Sequence, residues 1–112
     1  MADKYDKILK EYFNGNLQRK LKSVAMMKDI GMMPDDVAER AERVEQVVNV
    51  MDYLAGEKLP ERYIEFLRLR YAEDVTWFGC SQIMGYSSTT FQRWRKRIKK
   101  LMAEQLPHTN ID

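Results

Sequence analysis

The apolar residues of this chain recur at intervals of three and four, and no segment alternates with period two. That pattern admits helices and excludes a sheet. It is strictest where Val37, Ala41, Val44, Val48, Met51 and Ala55 follow one another at spacings of four, three, four, three and four. The seam lasts fewer than three heptads, and Val47, Val50 and Leu54 widen it, which favours packing inside the molecule over a coiled coil. A homodimer is left open by this helix. The expected fold is all-α, a compact helical domain with a C-terminal helix-turn-helix.

Helix boundaries follow from turn and cap residues. Tyr5, Ile8, Leu9, Tyr12 and Phe13 make a first stripe that Asn14-Gly15-Asn16 closes. Leu17, Leu21, Val24 and Ala25 make a second, which Gly31 should stop. Pro34 suits the first turn of the next helix, and Asp35 and Asp36 place negative charge at its positive end. Gly56 is expected to end that helix, and Pro60 to start another with Tyr63, Ile64, Phe66, Leu67 and Tyr71 on its buried side. Thr76 reads as the N-cap of a helix from Trp77 to Met84, Gly85 as the left-handed residue that ends it, and Ser87 as the cap of the last. Phe91, Trp94, Ile98 and Leu101 carry that last helix to about Gln105.

Charge is unevenly distributed along the chain. Residues 1–60 hold ten Lys/Arg against eleven Asp/Glu, and residues 61–112 nine against six. Six cations and no acid fall between Phe91 and Lys100, which focuses positive potential on one helix. A basic face by itself is as readily a solvated surface. Here it follows a short helix and a glycine turn, as in a protein that lays a helix in the DNA major groove. Ser81 supplies the small residue at the crossing. Cys80 and Met84, Tyr86 in the turn, and Phe91 and Trp94 supply the apolar lock. Ser88, Thr89, Gln92, Arg93 and Lys96 are left outward to meet base edges, with Gln suited to adenine and Arg to guanine. Thr76, Ser87, Arg95, Arg97, Lys99 and Lys100 are expected at phosphates, which position the protein without reading sequence.

These residues resemble a known family. Leu59-Pro60-Glu61-Arg62-Tyr63, Leu67-Arg68-Leu69-Arg70-Tyr71, Thr76-Trp77, Gly85-Tyr86-Ser87 and Trp94-Arg95-Lys96-Arg97-Ile98-Lys99-Lys100-Leu101 are similar to region 4 of sigma-70-type factors, and to small phage transcriptional regulators of the RinA and ArpU type. The resemblance covers residues 57–103. It implies a sequence-specific regulator of phage or prophage type, binding double-stranded DNA and acting with host RNA polymerase. The residues before 57 are too few for the promoter-melting and polymerase-binding parts of a sigma factor, so the chain is not expected to initiate transcription alone. Gly79 departs from the family pattern and costs about 1 kcal/mol relative to alanine inside a helix, so a loose helix is expected there.

Three regions result: residues 1–56, a helical packing and partner surface; residues 57–106, the helix-turn-helix; and residues 107–112, a flexible tail. Trp77 and Trp94 are expected in the core rather than stacked on bases, and Cys80 as a small buried hydrophobe. Met26, Met27, Met32 and Met33 are expected to fill core gaps. One His and one Cys argue against a metal site. No phosphate loop or nucleophile motif is present, so no catalytic residue, cofactor or enzyme activity is expected. No stretch nears the roughly 20 apolar residues of a membrane span, and a cytoplasmic protein is the expectation. The competing readings are a protein-interaction module and a DNA-packaging recognition subunit.

Overall fold

The computed structural model describes residues 3–106; the expected tail, with His108, lies outside them. Helix α1 (Lys4–Phe13) starts at a reciprocal cap. The Asp3 side chain accepts from the backbone N–H groups of Tyr5 and Asp6, and the Asp6 carboxylate accepts from the N–H of Asp3. Gly15, at φ 82°, turns the chain into α2 (Asn16–Asp29), and Gly31, at φ 72°, turns it out again. Such angles cost a residue with a Cβ and suit glycine. Pro34 sits just outside α3 (Asp35–Tyr53), at its N-cap rather than in its first turn, and Asp35 and Asp36 begin the helix as expected.

Gly56 does not end this helix. The chain continues through a wide π turn over Leu54–Lys58, closed by the Leu59 N–H on the Leu54 carbonyl at 2.8 Å. Gly56 has no positive φ, so its left-handed freedom goes unused, and extended backbone at Leu59 makes the exit. After Pro60, α4 (Glu61–Leu67) ends in a second π turn, Arg68–Ala72, closed by the Glu73 N–H on the Arg68 carbonyl at 3.1 Å. Asp74, at φ 54°, then redirects the chain into α5 (Trp77–Met84) and α6 (Ser88–Gln105).

The all-α fold is what the structure shows, and among the described residues there is no strand. One apolar cluster joins α1 (Ile8, Leu9), α3 (Val44, Val47, Val48, Met51), α4 (Tyr63, Phe66, Leu67) and α6 (Phe91, Trp94, Ile98, Met102). It spans the boundary between residues 56 and 57, so the two main regions share an interior. Each large apolar side chain taken fully out of water contributes about 1.5–3 kcal/mol. On α6 it is Met102 that is fully buried, whereas Leu101 packs only partly against the cluster.

From residue 18 to residue 43 no side chain is buried. Helix α2 and the first half of α3 pack on each other as an arm, and the molecule measures 50 × 28 × 26 Å. The arm corrects the expectation for two of its four methionines, while Met27 and Met33 are half-buried. Met26 and Met32 are 63% and 67% exposed, because they lie beyond the point where other helices meet the hairpin. Among the described residues no helix is long and apolar enough to cross a membrane.

Candidate nucleic-acid interface

The pair α5 and α6 is built by local capping. The Thr76 hydroxyl oxygen accepts from the Gly79 N–H at 3.0 Å and starts α5. Gly79 has a steric reason to be glycine: a Cβ there would lie 2.6 Å from Val75 Cγ1 and 3.2 Å from Thr76 Oγ1. The residue expected to loosen this helix is the one that lets its first turn close on Val75. Cys80 is wholly buried, and burial pushes its thiol above the usual range. Gly85, at φ 77°, ends α5 with its N–H on the Ser81 carbonyl at 2.9 Å. Ser87 then caps α6 by accepting from the Thr90 N–H at 3.3 Å.

An aromatic cluster holds this pair against α4. Phe66 stacks on Phe91 with ring centres 4.5 Å apart, Tyr63 stacks on Trp94 at 4.8 Å, and Phe66 meets Trp77 at 5.5 Å. Tyr86, in the turn, sets its ring edge-on to Trp94 at 4.8 Å. Aromatic pairs at these separations add about 0.5–1.5 kcal/mol each beyond area burial. Trp94 is a core residue, and Trp77 is partly buried against Phe66, so neither presents a free ring for a base. The cluster fixes the rotation of α6 about its axis.

That rotation sets Ser88, Thr89, Gln92, Arg93 and Lys96 on one exposed stripe, which Lys100 extends. At 3.6 residues per turn these positions fall within one side of the helix. None of the six has a hydrogen-bond or ion-pair partner among the described residues, so the stripe is held in place yet chemically unoccupied. Thr76 and Ser87 are also exposed, at the starts of α5 and α6, with their oxygens engaged as caps.

Arg95 and Lys99 are elsewhere. Arg95 donates to both carboxylate oxygens of Asp6, from Nε at 3.0 Å and Nη2 at 2.5 Å, and Lys99 Nζ lies 2.9 Å from Asp6 and 3.0 Å from Asp3. Both border the buried face on the α1 side, four residues apart on α6, so these two residues, expected at phosphates, are engaged by α1 carboxylates in this structure. Arg97 lies on the opposite border. It is exposed, and its Nη1 donates to the Tyr63 hydroxyl at 2.8 Å. Of the six cations on this helix, Arg93, Lys96 and Lys100 have no side-chain partner among the described residues, and Arg97 has the Tyr63 hydroxyl.

Asp6 is the residue that sequence reading missed, and it is the buried charged side chain among the described residues. Burial works to raise its pKa, but the hydrogen bonds from Arg95 and Lys99 outweigh burial and hold the carboxyl at about 2. Arg95 is raised in turn, chiefly by its bond to Asp6. The Tyr71 hydroxyl, 3.4 Å from Asp6, completes the cluster. The spacing of Asp3 and Asp6 is a capping-box signal that the sequence does display; their pairing with α6 leaves no local trace. Among the described residues no group of three or more His, Cys, Asp or Glu could hold a metal ion.

Comparison with protein families, curated proteins and solved structures gives no match for this chain.

Proposed function

We propose that this protein binds double-stranded DNA in a sequence-specific manner, with α5 and α6 as a helix-turn-helix, and that it regulates transcription together with RNA polymerase in a phage or prophage setting. The observation that carries the reading is the unpartnered stripe of Ser88, Thr89, Gln92, Arg93, Lys96 and Lys100 on a helix held in rotation by Phe91 and Trp94. In this reading the N-terminal half of α6 enters the major groove. Gln92 and Arg93 meet base edges, with Ser88, Thr89 and Lys96 beside them, while Arg97, Lys100 and the two cap hydroxyls meet phosphates. The transcriptional role rests on the resemblance to sigma region 4.

A protein-interaction module is the second reading, favoured by Phe78 and Ile83 on α5, which are 73% and 60% exposed. A DNA-packaging recognition subunit would use the same stripe on a different target. Selection of bound sequences from a random duplex pool, with affinity followed across salt, tests the choice. An enriched motif and a falling affinity with salt are expected. No motif and no salt dependence would leave the protein-interaction reading in its place.

A further inference from the structure

The arm formed by α2 and α3 carries two features that match each other in chemistry and follow one another along its length. At its tip, Ile30, Met32 and Met26 are 68%, 67% and 63% exposed, and the same stretch of chain carries three exposed acids, Asp29, Asp35 and Asp36, against one exposed cation, Lys28. Toward its base, a groove of about 600 Å³ runs between the two helices. Leu21, Val24, Val37 and Ala41 line it with apolar surface, and four cations (Lys7, Arg19, Lys20 and Arg40) against the one acid Glu11 give it a net positive charge. The acids of the tip are largely uncommitted: the Asp36 pair with Arg40 spans 3.9 Å between side chains 69% and 65% exposed, a geometry that contributes little.

The tip cannot fold back into its own groove, because α2 is a continuous helix of 14 residues and about 21 Å separates its ends. A second copy has no such restriction. We propose that the arm is the contact between two copies of this chain, laid antiparallel, with the acid-flanked apolar tip of each seated in the cation-lined groove of the other. The contact is isologous: one complementary pairing is made twice around a two-fold axis, so it closes at the dimer. It takes Ile30 and Met32 out of water and brings Asp29 and Asp35 to Lys20 and Arg40. Two overlapping arms of this length bury on the order of 1,000 Å² in all, near the lower bound for a specific interface, so a micromolar dimer is expected. The inference stands whether or not α6 reads DNA.

Sedimentation equilibrium of the full chain, from about 1 to 100 µM so as to bracket that affinity, should show conversion of monomer to dimer. Ile30→Glu with Met32→Glu should raise the dissociation constant at least tenfold while circular dichroism stays unchanged, since both side chains are exposed. Charge exchange gives the sharper readout. A chain with Lys20→Glu and Arg40→Glu should be monomeric, a chain with Asp29→Lys and Asp35→Lys should be monomeric, and an equimolar mixture should recover the dimer, because each variant's groove then faces a tip of opposite sign. A wild-type monomer at the highest concentration would overturn the proposal. So would a dimer indifferent to these substitutions, or a mixture that stays monomeric.

Discussion

Arg95 of α6 grips Asp6 of α1 through two parallel hydrogen bonds, joining residues 89 apart in sequence. The Asp6 side chain is 8% exposed and that of Arg95 30%, so the pair is shielded on the carboxylate side. Removing the acid leaves Arg95 without its anion and Lys99 with Asp3 alone. Asp6→Asn should lower unfolding free energy by about 1–3 kcal/mol, short of the full cost of breaking a deeply buried pair because the cations retain some water. Urea unfolding with an unchanged m-value measures it.

Acid should act through the same carboxylate. Its folded-state pKa of about 2 lies below the 3.8 of an unperturbed Asp, so the folded state favours the charged form. The resulting stabilisation, on the order of 2 kcal/mol, is fully present above about pH 4 and is lost as pH falls toward about 2. Asp3, whose pKa is also lowered, adds in the same direction. Unfolding free energies of the wild type and of Asp6→Asn, measured between pH 5 and pH 2, should converge as the acid is protonated. A gap that stays constant would show that the two cations do not govern stability in this range.

Two glycines should respond oppositely to alanine. At Gly79 a Cβ meets Val75 Cγ1 at 2.6 Å, and branching at the Val75 Cβ leaves that methyl little rotational freedom to yield. Gly79→Ala should destabilise by about 1 kcal/mol, against the gain of about the same size that helix propensity alone predicts. At Gly56 a Cβ meets nothing within 4 Å and φ is not positive. Gly56→Ala should therefore stabilise by about 0.4–1 kcal/mol by restricting the unfolded chain. Thermal denaturation of the two variants side by side reads both signs.

The proposed DNA interface makes separable predictions for the cations of α6. Arg93→Ala should cost about 1–3 kcal/mol on the selected sequence and relax preference at one position. Lys100→Ala should weaken all duplexes alike and make the salt slope shallower by about 0.9. With Arg97 and Lys100 as the phosphate-facing cations, the wild-type slope of log K against log salt should be near −1.8; engagement of Arg95 and Lys99 as well would bring it near −3.6. Arg95→Ala should therefore alter stability and leave the slope unchanged. Fluorescence anisotropy at several salt concentrations reads each case.

Cys80 is fully buried, with its Sγ 3.9 Å from the Val75 carbonyl and its thiol raised by burial. It should react with a thiol-specific disulfide reagent only as fast as the protein opens. Adding denaturant should raise that rate in step with unfolding.

Periodicity and caps made much of the fold legible. Asp35, Thr76, Gly85 and Ser87 mark helix ends in the structure because their roles depend on neighbours within four residues. Gly56 misled for the complementary reason. Glycine permits a left-handed stop without requiring one, and the choice of a π turn there is made by the packing of Leu54 and Leu59 into the core. The outward stripe of α6 was readable because Phe91, Trp94 and Ile98 set its phase. The fate of Arg95 and Lys99 was not, since six cations on one helix look alike until α1 arrives with Asp3 and Asp6. The exposed methionines were misread because hydrophobicity says which residues favour burial, not whether anything reaches them.

The link between the first helix and the last also bears on how the molecule is made. A chain synthesised from its N-terminus presents Asp6 to solvent throughout the production of α2, α3 and α4, and the guanidinium that holds it emerges only with α6. Until then the N-terminal helices have one another and the growing core, but α1 lacks its ionic anchor. The domain thus locks late, in the step that delivers the cationic helix, so a truncated product would leave both the start of α1 and the Tyr71 side of the core open.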